Sequence, residues 1–461
     1  MVVVVAAVVE AAVAKPPYHS AMNFDPYRNE KPPRREVLPG GAVLLDTPMP
    51  TAHAVTLGVW LRTGSQDEPD GLGGISHFLE HMVFKGTRHR VAYEIARQFD
   101  SMGAMVDAFT TKDTVAFTLK VLPEYFLPAI DLLGEMLLEP AFEQKMVTLE
   151  QGVVIEEIQE ALDTPDDRLH DAFAARLYGK HRRARPILGS PGAVRSFHPE
   201  VLHSAHRKLF CGPNMVISMA GNIQDGFREA VKRRFDVGPA DQDPGARFHE
   251  AGSAVKAAFV DMDLDTFDPF RLEITSPIIQ TYFEMGNLGV ALGHPDRIPV
   301  FLLTNILGGG MSSRIFQAVR EREGLAYSIY TYNDMGRDTG LVSCAGSCSP
   351  DKLGRIIDVI SVEYDRLIAE GVGGQEIENN RAQIKSQLIF SLEGMVNQMF
   401  RAARNEIYYG RFMPVADLVD LVESVSDEDL RRCAAKYFDP GSLLVATHGP
   451  ENDAYGDVED F

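Results

Sequence analysis

The sequence is short of basic residues, and this shortage excludes one large class of partner. Its 461 residues include 65 acidic and 45 basic side chains, which give a formal net charge of −20. Binding to a nucleic-acid backbone requires a basic footprint, so we expect no nucleic-acid partner. An acidic surface would suit cationic peptides as ligands, although a surface that only keeps the protein soluble is the favoured interpretation of this charge.

Cysteine is also scarce, because the chain has only four, at positions 211, 344, 348 and 433. Four thiols are too few for a disulfide framework in a chain of this length. Cys344 and Cys348 fall in a Gly/Ser-rich segment with the pattern of a strand, where their spacing does not form a metal-binding turn. We therefore expect reduced thiols and a cytoplasmic location.

Long hydrophobic runs are absent as well, so we expect no membrane-spanning helix. The apolar N-terminus, MVVVVAAVVEAAVA, ends in a triplet that imitates a signal cleavage site. It lacks a basic start and is interrupted by Glu10, so a signal peptide, with secretion or a periplasmic location, is the less favoured interpretation. Met22 is an alternative start, and we interpret residues 1–34 as a tail.

An internal repeat indicates two similar domains. The segment 196–221 matches the segment 424–449 without a gap, at an offset of 228 residues, and each has the pattern of a helix, a turn and an apolar strand. A chain of this length also exceeds one ordinary hydrophobic core. The predicted division is an N-terminal tail 1–34, a first domain 35–238, a linker 239–265, a second domain 266–449 and a C-terminal tail 450–461.

The periodicity of the first domain predicts an α+β fold. The segments VLPGGAVLLDT and AHAVTLGVWLRTG alternate as strands do, and AMVDAFTTKDTVAFTLKV has the pattern of two adjacent strands. The segments GGISHFLEHMVFKGT, LPAIDLLGEMLLEP and EQKMVTLEQGVVIEEIQEALDTP have the pattern of helices. Strands followed by runs of helices indicate a mainly antiparallel sheet with helices packed on one face.

One of these predicted helices carries the pentapeptide HFLEH. At helical spacing His77, Glu80 and His81 project from one face, and the two imidazoles lie roughly 6 Å apart along the axis. Both imidazoles could reach one Zn²⁺ ion, and Glu80 could take a proton from a water that zinc activates. The order H-x-x-E-H is typical of inverzincin metallopeptidases, although two surface histidines on a helix would show the same letters. Apolar residues on both sides favour a half-buried helix, in which unpartnered polar groups would be costly.

A catalytic zinc needs a third protein ligand. The segment LEQGVVIEEIQEALDTP offers four carboxylates: Glu150, Glu156, Glu157 and Glu160. Glu150 and Glu157 are two helical turns apart and share one face, whereas Glu156 points about 100° away. An exposed acidic helix face would explain the same residues, so spacing alone leaves the third ligand open.

The run LRTGSQDEPDGLGGISHFLEHMVFKGT resembles the M16, or pitrilysin, family of inverzincins, which includes the β-subunit of the mitochondrial processing peptidase and shorter bacterial homologues. In that family the third zinc ligand is a glutamate about 76 residues after the second histidine, which here is Glu157. A glutamate seven positions earlier supports the site, which here is Glu150. The resemblance covers roughly residues 36–450 and implies a peptidase with one zinc ion per chain.

The second half resembles the same family. The segment NILGGGMSSRIFQAVREREGLAYSIYTY resembles one in which an arginine and a tyrosine seven residues later bind substrate and stabilise the tetrahedral intermediate. These residues correspond to Arg320 and Tyr327.

The 228-residue offset explains why only one half would hold metal. It places Asn305, Gly308, Gly309 and Lys385 where the first domain has His77, Glu80, His81 and Glu157. We therefore expect the second domain to be a diverged partner without zinc. The glycines at 308–310 predict either a mobile loop at the substrate entrance or an ordinary helix C-cap.

One segment departs from the family pattern. The family tends to have N-A-x-T on the edge strand that pairs with substrate, and this chain has Asp107-Ala108-Phe109-Thr110. The resemblance implies that Asp107, Ala108 and Phe109 bind peptide by β-augmentation. Aspartate in place of asparagine adds a negative charge, which favours basic residues in the peptide.

The resemblance also implies a clam-like chamber that accepts unfolded or short peptides, of which each chain forms half. Active short members of the family work as dimers, so we expect a homodimer, with an inactive paralogue in a heterodimer as the alternative. A non-catalytic scaffold or regulatory subunit, similar to the core subunits of respiratory complex III, is the rival hypothesis. Such subunits typically lack part of the zinc set, which is complete here.

Overall fold

A computed structural model describes residues 30–239 and 271–451. The predicted tail up to residue 29, the linker from residue 240 and the last ten residues lie outside this description. The described residues form two sheets with packed helices, which confirms the predicted α+β fold with two domains. No helix within these ranges is long and apolar enough to cross a membrane.

The first half forms a six-stranded sheet in the order β1-β2-β6-β3-β5-β4. Only β2 and β6 pair in parallel. Its strands are β1 (Arg34–Val37), β2 (Val43–Pro48), β3 (Val55–Leu61), β4 (Met105–Thr110), β5 (Val115–Val121) and β6 (Met215–Gly221). Its helices are α1 (Ile75–Met82), α2 (Ala92–Ser101), α3 (Phe126–Leu138), α4 (Gln144–Asp163), α5 (Pro165–Tyr178), α6 (Pro191–Arg195), α7 (Pro199–Leu209) and α8 (Phe227–Phe235).

The second half forms a five-stranded sheet in the order β7-β11-β8-β10-β9. Its strands are β7 (Arg271–Thr275), β8 (Thr281–Leu288), β9 (Ala326–Met335), β10 (Gly340–Cys348) and β11 (Leu444–Gly449). Its helices are α9 (Arg297–Gly308), α10 (Leu353–Glu370), α11 (Gly374–Phe390), α12 (Met395–Tyr409), α13 (Val415–Ser424) and α14 (Asp427–Tyr437). A π-helical segment, Phe316–Arg322, precedes β9.

The two sheets have the same topology. The order β2-β6-β3-β5-β4 in the first half becomes β7-β11-β8-β10-β9 in the second, and the parallel pair occupies the same place in both. The first residues of β2 and β7, Val43 and Arg271, are 228 positions apart, which is the offset of the sequence repeat. This agreement supports duplication, while the predicted domain boundaries stay predictions.

The two halves exchange one helix each. Alternate residues of β3 face opposite sides of its sheet: Leu57 joins the core under α1 and α3, whereas Trp60 faces away from that core. On this second face α12 packs from the other half, and the rings of Trp60 and Phe400 meet edge to face with their centroids 5.4 Å apart. Reciprocally, α5 packs on the second sheet, where Phe173 joins a cluster with apolar residues of β8, β10 and β11. The sequence did not reveal this exchange. It places α12 and α5 on the sheet faces opposite those that pack against each half's own core.

Candidate metal centre

Helix α1 is fixed at its N-terminus by a buried carboxylate. Glu68 accepts hydrogen bonds from the backbone N–H groups of Gly74 and Ser76, at 2.7 and 2.8 Å. Gly74 has φ +92°, and a Cβ there would come within 2.5 Å of the Leu188 carbonyl oxygen, so glycine is required at this turn. This start sets the rotation of α1 and therefore the direction in which its two histidines point.

His77, His81 and Glu157 come together between α1 and α4. Each offers one ligand atom, and these atoms all lie within 4.8 Å of one another. The Nε2 atoms of His77 and His81 lie 3.6 and 3.7 Å from the two carboxylate oxygens of Glu157. Ligands held tetrahedrally about 2.0–2.1 Å from one zinc ion are separated by roughly 3.3–3.4 Å, so this donor set fits the metal closely.

A second glutamate of α4 orients His81. The Nδ1–H group of His81 donates to Glu150 at 2.8 Å, and the other Glu150 oxygen pairs with Lys85 at 2.7 Å. This contact fixes the tautomer of His81 and turns its Nε2 atom toward Glu157. Of the four glutamates considered from the sequence, Glu157 joins the histidine pair, Glu150 supports it, and Glu156 is exposed to solvent.

Glu80 is held beside the cluster by the edge strand. The hydroxyl of Thr110, the last residue of β4, donates a hydrogen bond to Glu80 Oε2 at 2.5 Å. Sequence reasoning ended the strand site at Phe109 and missed this threonine, although it completes the D-A-F-T segment. The sequence signal was that Thr110 directly follows Phe109 in a strand, where neighbouring side chains face opposite sides of the sheet.

Burial and neighbouring charges set the protonation of the site. Burial, reinforced by His81, lowers the pKa of His77 to about 4 and keeps its imidazole neutral, as a metal ligand must be. Burial raises the pKa of Glu80 and of Glu157. Burial also acts to raise the pKa of Glu150, but its hydrogen bonds with His81 and Lys85 outweigh this effect and lower the pKa.

A cavity of about 590 Å³ opens over the cluster. Besides the site residues, its lining includes three further carboxylates, those of Glu160, Asp167 and Asp171. In this described lining, only the imidazoles of His77 and His170 could carry a positive charge. The cavity therefore has an acidic wall next to the histidine–glutamate cluster.

The second half offers no comparable cluster among the described residues. Asn305 stands at the position that corresponds to His77, and its side-chain amide donates to Asn380 on α11 at 2.5 Å. Lys385, which corresponds to Glu157, pairs with Glu423 at 3.6 Å. Helix α9 ends at Gly308 with Gly309 as its C-cap. Of the two interpretations of this glycine run, the structure therefore agrees with an ordinary helix C-cap.

Arg320 and Tyr327 lie close to each other. The Arg320 Nη1–H group donates to the Tyr327 carbonyl oxygen at 2.9 Å, and the guanidinium carbon lies 4.7 Å from the centre of the Tyr327 ring. The Tyr327 side chain is 84% exposed. Neither residue belongs to the cavity lining over the cluster within the part of the chain that the structure describes.

The predicted peptide-binding segment lies on an edge strand. β4 ends the first sheet and pairs only with β5 among the described strands. Asp107 is exposed and accepts a hydrogen bond from the N–H of Ala108 at 2.9 Å. Phe109 lines the cavity and stacks on Phe400 of α12, with the ring centroids 5.8 Å apart.

Comparison with known proteins gives two family matches. Residues 44–191 match the model described as insulinase (peptidase family M16), and residues 196–384 match the model described as the peptidase M16 inactive domain. The second match covers much of the second half, whose described residues include no histidine–carboxylate cluster that could hold a metal ion. This division agrees with the position of the candidate site, because His77, His81 and Glu157 all lie within the first match.

Curated relatives and solved structures give the same result. An uncharacterized zinc protease of Bacillus subtilis is 34% identical over 402 residues, which cover 87% of this chain and 95% of the relative. One of Streptomyces coelicolor is 32% identical and covers 87% of this chain and 86% of its own length. A protease from Helicobacter pylori superposes with a TM-score of 0.80 at 19% identity, covering 91% of this chain and 100% of that one, and thus shows the same fold. The chain therefore belongs to the M16 family of zinc proteases.

Proposed function

We propose that this protein is a zinc metallopeptidase, an endopeptidase or oligopeptidase that hydrolyses peptide bonds in unfolded or short peptides. One observation carries the proposal: His77, His81 and Glu157 converge at metal-binding distances with Glu80 beside them. The names of the curated relatives, which call them zinc proteases, support the metal and the reaction class.

The residues of the site divide the chemistry between them. Zinc bound by His77, His81 and Glu157 would supply Lewis acidity, which polarises a carbonyl group and acidifies water. Glu80 would accept the proton of the attacking water and deliver it to the departing amine nitrogen. Its raised pKa brings this carboxylate closer to the range in which it can exchange protons near neutral pH.

Arg320 and Tyr327 would stabilise the tetrahedral intermediate. A guanidinium group and a phenol can both donate hydrogen bonds to a developing oxyanion. Their mutual contact and the exposure of Tyr327 support their action as a pair on bound substrate. We propose that they complete the site when a peptide occupies the chamber.

The substrate would bind as an extra strand along β4. Asp107, Ala108 and Phe109 would pair with it main chain to main chain, because β4 is the edge of its sheet. The carboxylates of Glu160, Asp167 and Asp171 line the adjoining cavity and would favour basic residues near the scissile bond. We therefore propose cationic peptides as the preferred substrate class.

We also propose a homodimer in the cytoplasm. Since one chain carries the whole ligand set and the Arg320–Tyr327 pair, it needs no catalytic residue from a different subunit. The four cysteines are free thiols, which suits a reducing compartment. Light scattering on the purified protein would measure the oligomer, and a monomer at micromolar concentration would contradict the dimer.

Removal of the metal tests the proposed function. The purified protein should hold about one zinc per chain and cleave a quenched peptide that contains arginine or lysine. A chelator should abolish cleavage, and added zinc should restore it. Cleavage that persists in zinc-depleted protein would contradict the proposal.

A further inference from the structure

Two further cavities adjoin the one over the candidate metal centre. A central cavity of about 520 Å³ shares Phe109 and Ile187 with it. A far cavity of about 620 Å³ shares Phe400 and Arg404 with the central one. The three cavities therefore lie side by side as a track, with the proposed metal ligands at one end.

Side-chain contacts connect the two ends of this track. Thr110 holds Glu80, and the preceding residue, Phe109, stacks on Phe400 of α12. Arg404 stands four residues after Phe400, about one helical turn further along the same face. A peptide that extends from the metal centre past the aromatic pair would thus reach Arg404.

The far end is basic, in contrast to the acidic wall at the metal. Three arginines, Arg297, Arg401 and Arg404, line the far cavity, and Asp334 is the one carboxylate in its described lining. Arg401 is paired with Glu30 at 3.1 Å, and Asp334 is paired with Arg183 at 2.7 Å. The charges of Arg401 and Asp334 are therefore already neutralised within the chain.

Arg297 and Arg404 differ from Arg401, because neither has an ion-pair partner among the residues that the structure describes. Neither forms an ion pair or a hydrogen bond with any residue of the ranges 30–239 and 271–451. The guanidinium of Arg297 lies 5.8 Å from the ring centre of Tyr409, a contact that leaves its N–H donors available, and Arg404 is exposed. Two such guanidinium groups facing one cavity, in a chain of net charge −20, complement a carboxylate.

We infer that the far cavity is a carboxylate-binding subsite, in which Arg297 and Arg404 bind an acidic group of the peptide substrate. This inference rests on the proposed peptidase function and adds a second anchor to it. The basic part of the peptide would lie against Asp167 and Asp171, while its carboxylate would lie at Arg404. The two anchors together would fix the direction in which a peptide enters the site.

Matched peptides test the subsite. One quenched peptide that contains arginine is prepared with a C-terminal carboxylate or a C-terminal amide, and a second pair carries aspartate or asparagine inside the chain. Wild-type enzyme should cleave the carboxylate member of at least one pair with a kcat/KM about tenfold higher, the effect of one charge-assisted hydrogen bond. The pair that shows the difference tells whether the subsite accepts a chain terminus or an acidic side chain.

Substitution of the two arginines tests whether they cause the carboxylate preference. Arg404→Gln and Arg297→Gln should each reduce the carboxylate preference toward unity, mainly by lowering kcat/KM for the carboxylate or aspartate peptide. Arg411→Gln is the matched control, because Arg411 is exposed just after α12 and lies outside the cavity lining. A carboxylate preference that is unchanged in both variants would overturn the inference.

A binding measurement separates this inference from the proposed function. Fluorescence anisotropy of the same peptides on full-length Glu80→Gln protein, with and without Arg404→Gln, reports the carboxylate preference without turnover. If the wild type cleaves none of these peptides while the variant binds them in a carboxylate-dependent way, the proposed peptidase would be overturned and the subsite kept. Cleavage without any carboxylate preference would keep the peptidase and overturn the subsite.

Discussion

The two histidines of the candidate metal site are held in different ways. His81 is oriented by a hydrogen bond to Glu150, whereas the Nδ1 atom of His77 is buried with no hydrogen-bond partner among the described residues. His77 is only 7% exposed, so packing around α1 fixes its ring. The geometry of the candidate site therefore depends on the contact with Glu150 at His81 and on core packing at His77.

Glu150→Gln should weaken metal binding without removing a ligand. The amide keeps the shape of the side chain but loses the negative charge that His81 and Lys85 contact. Zinc affinity, measured by competition with a chromogenic chelator, should fall about 10–100-fold. Glu156→Gln on the exposed side of α4 serves as the control, and equal affinities for the two variants would contradict the role of Glu150.

Thr110→Val should reduce turnover while zinc stays bound. Valine has a similar shape but cannot donate the hydrogen bond that holds Glu80. We expect kcat to fall about tenfold with an unchanged zinc content, and Thr110→Ser to restore most of it. Since this hydrogen bond acts to lower the pKa of Glu80, its loss should also move the acidic limb of the kcat/KM profile to higher pH. A valine variant with the profile of the wild type would show that Thr110 does not position Glu80.

The local geometry of the candidate site was predictable from the sequence. His77, Glu80 and His81 were placed on one face because helical spacing fixes their relative directions. Spacing could not choose among the four glutamates of α4, and only the family resemblance singled out Glu157. Thr110 was missed because its contact with Glu80 joins a strand to a helix, and sequence spacing does not predict such tertiary contacts.

At the scale of elements, α12 is attached to the first sheet by a buried carboxylate that pairs with two arginines. Glu406 is 5% exposed and accepts from Arg35 and Arg62 at 2.8 and 3.1 Å. Arg62 is itself largely buried, so it would lose its counter-charge if Glu406 were neutralised. This cluster joins the two halves of the chain.

Glu406→Gln should destabilise the protein. It leaves the buried guanidinium of Arg62 without a full negative partner, and we expect the free energy of unfolding in urea to fall by about 3 kcal/mol. Glu393→Gln, an exposed change just before α12, should leave the midpoint unchanged within error. Equal midpoints for the two variants would show that the ion pair does not anchor the helix.

Helix α7 carries a buried histidine that should make stability depend on pH. Burial lowers the pKa of His206 to about 4, and its Nε2–H group donates to the Leu137 carbonyl oxygen at 2.8 Å. The unfolded chain takes up this proton near pH 6.5, so the free energy of unfolding should fall as pH is lowered from about 6.5 toward 4, by at most about 3 kcal/mol.

His206→Gln tests this dependence by removing it. Unfolding by urea between pH 7 and 5 should lose less free energy in the variant than in the wild type, even if the variant is less stable at pH 7. His198→Gln on the surface is the control and should follow the wild type. Parallel curves for wild type and His206→Gln would contradict the burial effect.

The elements were more predictable than their packing. The strand pair β4–β5 and helices α3 and α4 follow the predicted segments, because their apolar periodicity is a local property. The exchange of α5 and α12 was not predicted, since an amphipathic pattern shows that a helix has an apolar face but not which sheet covers it.

At the scale of the whole molecule, the exchange predicts that both halves unfold together. Without α12, the first sheet would expose Trp60 and Val216, and without α5 the second would expose Leu288 and Leu341. Calorimetry should show one cooperative transition, with the calorimetric and van't Hoff enthalpies nearly equal. Two separate transitions would contradict a shared core.

The central claim is that a zinc-dependent peptidase site lies on α1 and α4, with Glu80 as its base. The most direct measurement compares zinc content and peptide cleavage in Glu80→Gln with those of the wild type and of Glu156→Gln. We predict equal zinc content in all three proteins and a loss of cleavage of about 10²–10⁴-fold in Glu80→Gln alone. A Glu80→Gln protein that cleaves as fast as the wild type would contradict the account.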